Sequence, residues 1–205
     1  QLNHRQQTIK GLVSNLNDST SMNIALNIDR CQKSKPCLSP FCPFCRATMQ
    51  ANNVATCQRI FSAAPKSNLC FLTVLLPVTY SPQQSIHAAI QSCRRSVSNI
   101  FQHRMYKSIK LYGAFEIDVK MPSLVVNKPM SLSVLNALGF NRHNNSAAYL
   151  LHFHAIIDLS NHSKATFRKS LTRVFNKPYQ VRLTKLRSDF TKSQSITNIA
   201  NYMLK

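Results

Sequence analysis

Residues 149–159, YLLHFHAIIDL, impose the strictest condition on the fold: an apolar run of strand length with two histidines inside it, His152 and His154. In a strand, successive side chains alternate between faces, so both histidines emerge on one side while Leu151, Phe153 and Ala155 point to the other. Two imidazoles at that spacing can grip one ion without distorting the backbone. A polar strand face touching solvent is the plainer use of a His-x-His pair, and the pair alone does not separate the two. A metal site needs a third ligand from another element.

The strand before it supplies one. Leu111 to Met121, LYGAFEIDVKM, alternates, with Phe115, Ile117 and Val119 on one face and Tyr112, Ala114, Glu116 and Asp118 on the other. The chain has only six acidic residues, and two of them fall in this strand. If it pairs with the histidine strand, a His-His-carboxylate site forms with positions left for phosphate oxygens and water. Glu116, mid-strand between apolar neighbours, is the expected ligand, with Asp118 the fallback.

The other elements follow from periodicity. Residues 1–30 are polar and Asn-rich, predicting a short helix near Ile9 to Leu16 and otherwise loop; Ala47 to Phe61 reads as a helix. Leu69 to Val78 is a nearly continuous apolar strand, and Pro82 opens a long amphipathic helix over Gln83 to Lys107. Residues 122–147 read as a loop insertion with about one helical turn around Leu132 to Leu138. A basic helix from Ser163 to Phe175, a strand from Pro178 to Leu186 and a helix from Ser195 to Lys205 complete the chain. This order predicts an α+β fold, an antiparallel sheet with helices packed on one face. With 205 residues and 44% hydrophobic content the chain can bury one main core and a small appended module, divided here as residues 1–62 and 63–205.

The appended module is marked by Cys31, Cys37, Cys42 and Cys45, spaced C-x5-C-x4-C-x2-C and stiffened by Pro36, Pro40 and Pro43. Four thiolates at short range suit structural zinc, in a module spanning residues 31–46, and such a site would fold a segment too poor in apolar residues to fold alone. Cys57, Cys70 and Cys93 stand apart and read as reduced buried thiols.

Twenty-six basic residues against six acidic ones give a formal charge of +20 spread along the chain, which points to a polyanionic partner. Between the histidine strand and the last helix lie Lys164, Arg168, Lys169, Arg173, Lys177, Arg182, Lys185, Arg187 and Lys192, a candidate path for a nucleic-acid backbone. Arg168, Lys169, Arg173, Lys177, Arg182, Lys185 and Arg187 are the expected nucleic-acid contacts, which the resemblance given below makes DNA contacts. Phe167, Phe175, Tyr179 and Phe190 are available to stack on unpaired bases or to pack in the core. No run reaches the roughly 18 to 20 apolar residues of a membrane span, and no signal-peptide layout opens the chain, so an intracellular protein without a membrane partner is expected. A start at Gln1 and a stop at Lys205 in mid-pattern are what a piece of a longer protein would show.

ITNIANYMLK, at the C-terminal end, puts Tyr202 and Lys205 on one helical face. A phenol with a pKa near 10 is a poor nucleophile at neutral pH, but a metal polarising a phosphate and a nearby cation make attack feasible.

Taken in order, GAFEIDV, LHFHAII and NYMLK resemble the three motifs of the HUH endonucleases, nearest to rolling-circle plasmid replication initiators and the related single-tyrosine transposases. The resemblance covers about residues 70–205, and the SPFCPFCR end of the cysteine module is similar to what precedes the nuclease in some of these proteins. It implies a five-stranded antiparallel sheet with helices, HUH/ferredoxin-like, carrying a divalent ion (Mg or Mn) on His152, His154 and Glu116. Tyr202 would then attack a phosphodiester to leave a 5′-phosphotyrosine and a free 3′-OH, with Lys205 assisting. Position 198 is Asn, which favours a single nucleophile. Single-stranded or origin-hairpin DNA, and a host helicase, are the implied partners, in a bacterial or archaeal cytoplasm. Replication initiation at a plasmid or phage origin is the expected setting; a single-strand transposase, and a non-catalytic zinc-containing nucleic-acid-binding protein, are the alternatives.

Overall fold

The computed structural model describes residues 2–15, 19–39, 41–80, 82–121, 129–141, 143–144 and 146–203. The chain divides into two compact units, Gln1–Thr56 and Cys57–Lys205.

In the first unit, α1 (Leu2–Asn15) and α2 (Ser19–Asp29) precede the cysteine loop; α3 (Pro43–Ile60) follows it and its last turn, from Cys57, belongs to the second unit. The single short helix expected in residues 1–30 is therefore two helices. Their own periodicity is weak; what holds them is packing, with Ile9 and Ile24 set against a small core of Ile28, Cys31, Cys42 and Cys45. Arg5 Nη2 donates to the carbonyl oxygens of Ile28 and Asp29, filling acceptors that the end of α2 leaves without helical partners.

The second unit is built on four strands: β1 (Leu69–Leu75), β2 (Lys110–Lys120), β3 (Ala148–Asp158) and β4 (Val181–Lys185). All neighbours are antiparallel in the order β2-β3-β1-β4. Helix α4 (Pro82–Gln102) links β1 to β2, and α6 (Lys164–Val174) links β3 to β4. Each therefore joins two strands of like direction with a third strand between them, the interleaved split β-α-β arrangement. Among the described residues the sheet has four strands, not the five that the resemblance implied; the four are those that alternation and apolar runs picked out.

Alternation assigns the faces. Cys70, Leu72, Val74, Leu151, Phe153, Ala155, Ile157, Val181 and Leu183 enter one core with Cys93, Val97 and Ile100 of α4 and Phe167 and Leu171 of α6. Fully burying an aliphatic or aromatic side chain contributes about 1.5–3 kcal/mol, so this layer dominates the stability of the unit. The opposite face carries the histidines and is also partly covered, which departs from the one-sided helix packing expected. Helix α5 (Pro129–Ala137) packs Leu135 with Ala148 and Leu150 at one end of that face. Gly139, at φ +95°, ends α5: its N–H bonds to Asn136 and that of Phe140 reaches back to Leu135. The last helix, α7 (Lys192–Tyr202), delivers Tyr202 onto the same face.

Candidate functional site

In the β2–β3 register Glu116 lies opposite His152 and Ala114 opposite His154, so the carboxylate and both imidazoles share one face. Glu116 Oε2 reaches diagonally to His154 Nε2 at 3.2 Å. Thr73, opposite His154 on the other side, places Oγ1 3.1 Å from His154 Nδ1. Phe71 stacks on the same imidazole, ring centroids 5.6 Å apart. His154 is thus held at both nitrogens and on a ring face. Burial lowers its pKa from 6.5 to about 4, so the ring is neutral at physiological pH and able to act as a metal ligand.

His152 is held differently. Its nearest acidic atom, Asp118 Oδ2, is 3.9 Å from Nε2, too far for a hydrogen bond, and Asp118 is itself engaged by Lys120. Nε2 of His152 is buried with no hydrogen-bond partner. Its pKa is lowered first by burial and then by His154, against the opposing pull of Asp118 and Glu116. A buried nitrogen without a hydrogen-bond partner, next to a carboxylate and a second imidazole, has its lone pair available to a cation. The donor atoms of Glu116, His152 and His154 all lie within 4.8 Å of one another. Ligand bonds of 2.0–2.2 Å allow donors to stand up to about 4.4 Å apart around one ion, so small side-chain movements bring the three to coordinating distance. Two imidazoles and a carboxylate suit a divalent ion of borderline or hard character, and these residues fit one.

Tyr202 stands in the last turn of α7. Thr191 caps the helix start, accepting from Gln194 N, while Gln194 Oε1 accepts from Thr191 N, a reciprocal capping box. Gln58 donates to Ser193 and Thr197 on the same helix. At its far end the Tyr202 ring meets His154 edge-on, centroids 5.0 Å apart, and Phe71 at 6.1 Å. Burial, then the charges of Glu116 and Asp118, raise the Tyr202 pKa above 10. A cation on the carboxylate–histidine group would oppose the last two effects. Lys205, the expected assisting cation, lies outside the described residues.

Around this centre runs a cleft of about 850 Å³. Of the seven expected DNA contacts, Arg168, Lys177 and Arg182 line it together with His152, His154 and Tyr202. Lys169 and Arg173 instead line a depression with His103 and Tyr106 on the α4 side of α6. Arg187 pairs with Asp189 and lies over the Phe190 ring. Lys185 sits opposite Cys70, on the apolar side of β4. Thr73, Phe71 and Gln180 were not anticipated; a lone threonine in LCFLTVL was the available signal for the first.

In the first unit the four cysteine sulfurs also lie within 4.8 Å of one another. Cys45 Sγ is 3.5 Å from Cys31 Sγ and 3.6 Å from Cys37 Sγ. Sulfurs on a tetrahedral zinc with bonds of about 2.3 Å stand roughly 3.8 Å apart, so the cluster is already of coordination size and could hold structural zinc. Cys37 N donates to Cys31 Sγ at 3.4 Å. Cys42 immediately precedes α3 and Cys45 lies in its first turn, where the helix dipole favours thiolate. Without a cation, burial above all, with added hydrogen bonds from the neighbouring thiols, pushes Cys37 up to about 12. Cys57, Cys70 and Cys93 are buried free thiols outside that group of four, as expected.

Comparison with family models, with curated proteins and with solved structures finds no match for this chain. Among the described residues no helix is long and apolar enough to cross a membrane.

Proposed function

We propose that the chain is a metal-dependent endonuclease of the HUH class that nicks and rejoins single-stranded DNA with Tyr202 as nucleophile. One observation carries this reading: the ring of Tyr202, from the last helix, lies 5.0 Å from that of His154, within a carboxylate–imidazole group able to hold a metal. A nucleophile, a ligand set for a divalent ion and three cleft cations are the parts that phosphodiester transesterification requires.

Arg168, Lys177 and Arg182 would draw the DNA backbone along the cleft. A divalent ion held by Glu116, His152 and His154 would polarise the scissile phosphate. Tyr202 Oη attacks the phosphorus, the P–O3′ bond breaks, and the phenolic proton is balanced by protonation of the departing 3′ oxygen. A phosphodiester is exchanged for a phosphotyrosine diester, so the 3′-OH can reverse the step and strands can be rejoined. Initiation of rolling-circle replication at a plasmid or phage origin is the setting the motif resemblance favours; a single-strand transposase would use the same chemistry.

A second reading, a non-catalytic zinc-bearing nucleic-acid-binding protein, draws support from the four cysteine sulfurs within 4.8 Å of one another and from the excess of basic residues. Incubation with labelled single-stranded DNA carrying the cognate site and Mn²⁺, followed by denaturing electrophoresis, separates the two. A covalent adduct that vanishes in Tyr202→Phe is expected. An adduct that survives the substitution, or none on cognate DNA, excludes Tyr202 as the nucleophile.

A further inference from the structure

Tyr179 is 63% exposed, and its φ of +65° lies in the left-handed region that tyrosine avoids. The cause is a tight turn, Lys177-Pro178-Tyr179-Gln180, closed by Gln180 N donating to Lys177 O at 3.4 Å. Proline at the second position and positive φ at the third are the marks of a type II turn, whose third position is ordinarily glycine. The strain at Tyr179 is not repaid by packing, since most of the residue faces solvent.

The turn is nevertheless held firmly. Gln180 is buried; its Oε1 accepts from Lys177 N and its Nε2 donates to Leu75 O, both at 2.9 Å. Its carbonyl accepts from Leu75 N at 2.8 Å. A strained residue persists where its surroundings over-determine it, and such residues gather at ligand sites. Here the surroundings fix the backbone that presents an exposed aromatic ring to the cleft lined also by His152, His154 and Tyr202. Arg168, Lys177 and Arg182 line that cleft, no carboxylate is among its described lining residues, and none of the three forms an ion pair among the described residues.

We propose that Tyr179 is the stacking platform for one unpaired nucleobase flanking the scissile phosphate, with Arg168, Lys177 and Arg182 holding the adjoining phosphates, so that the cleft takes single-stranded and not duplex DNA. This rests on the endonuclease reading only for its reference to a scissile phosphate. A paired base has both faces occupied by its neighbours in the duplex, whereas an unpaired one can lie against the ring. Because the turn that carries Tyr179 is already held by Gln180, little backbone ordering is left for binding to impose.

The test uses the full chain carrying Tyr202→Phe, which removes covalent chemistry, with fluorescence anisotropy on a labelled oligothymidylate and on a duplex hairpin at one fixed salt concentration. Tyr179→Gly relieves the turn, and Tyr179→Asn is a second variant at ease in left-handed backbone. Both are expected to melt no lower than the parent, to bind the oligothymidylate roughly 10- to 100-fold more weakly and to bind the hairpin unchanged; Tyr179→Phe keeps parental affinity. Unchanged single-strand affinity in the glycine and asparagine variants, or equal losses on single strand and hairpin, would overturn the proposal. Its fate is separable from that of the nuclease reading: Tyr179-dependent binding without any adduct on the unsubstituted chain removes only the nuclease, and an adduct with Tyr179-independent binding removes only the platform.

Discussion

Thr73 Oγ1 and His154 Nδ1 lie 3.1 Å apart, so the nitrogen of His154 that faces away from Glu116 is held by a hydroxyl. A neutral imidazole has one donor and one acceptor nitrogen, and a threonine hydroxyl can serve either tautomer. With Nε2 donating to Glu116, Thr73 donates to Nδ1; with Nε2 turned over to a metal, Nδ1–H donates to Thr73. Thr73→Val, nearly isosteric, leaves no such partner and is expected to weaken Mn²⁺ binding by about 10- to 100-fold, while Thr73→Ser restores most of it. Isothermal titration of the three proteins checks this, and equal affinities for valine and serine would show the contact to be idle.

The lowered His154 pKa makes metal-free stability depend on pH. Unfolding returns the ring to a pKa near 6.5, so between about 6.5 and 4 the unfolded chain binds the extra proton. The contribution of the neutral, buried ring is complete above about pH 6.5 and is lost as the pH falls toward 4, on the order of 3 kcal/mol in all. His152, shifted the same way, adds in the same direction. Urea unfolding of the chelator-treated protein at pH 7 and pH 4 measures the loss, and His154→Gln should flatten the profile. A wild-type profile as flat as that of the variant contradicts it.

Gly113 leaves no room for a side chain: a Cβ there would stand 2.5 Å from the His154 carbonyl oxygen and 2.8 Å from Ala155 Cβ. Only movement of β2 off β3 could make room, carrying Glu116 away from His154. Gly113→Ala is expected to cost about 1–3 kcal/mol and to weaken metal binding as well. Gly11→Ala, in α1, is the contrasting case, since an added Cβ there meets nothing within 4 Å, and should stabilise by about 0.5–1 kcal/mol. Thermal melts of both variants decide whether the close approach of β2 and β3 is as tight as described.

The seven cysteines should separate into two classes. Cys31, Cys37, Cys42 and Cys45 are expected to bind one zinc per chain by elemental analysis and to react with a thiol reagent only after chelation. Cys57 and Cys93, pushed up to about 11 and about 12 by burial, and Cys70, also raised by burial, should stay unreactive until the second unit unfolds. Prompt modification of more than four thiols after chelation would contradict this division.

Much of the site could be read in the sequence because it depends on strand alternation. His152, His154 and Glu116 fall on one face once β2 and β3 are strands, and residue type and spacing carry that. Thr73 could not be identified this way, since its role depends on the register of β1 against β3. The strand composition of PYQVRL predicts Tyr179 within a strand, but the turn there is set by the contacts of Gln180 with β1, distant in sequence. The basic run was only partly informative, because adjacent helical positions diverge by about 100°. Arg168 reaches the cleft and Lys169 does not, lining another depression with Arg173, although the two also share a third with Lys164 and Thr172. Lys192 was counted with the charge path, yet it donates to the carbonyls of Ser62 and Ala64.

The capping box at Thr191 and the phenol at Tyr202 occupy opposite ends of α7. At 1.5 Å per residue the helix is a rod about 16 Å long, anchored at one end and aimed at the other. A tilt of only about 4° at the anchor would swing Tyr202 by about 1 Å, a displacement on the scale that can lower a reaction rate about 100-fold. If Tyr202 is the proposed nucleophile, Thr191, Gln194 and Gln58 are where its aim would be set, and substitutions there would alter it without touching the cleft.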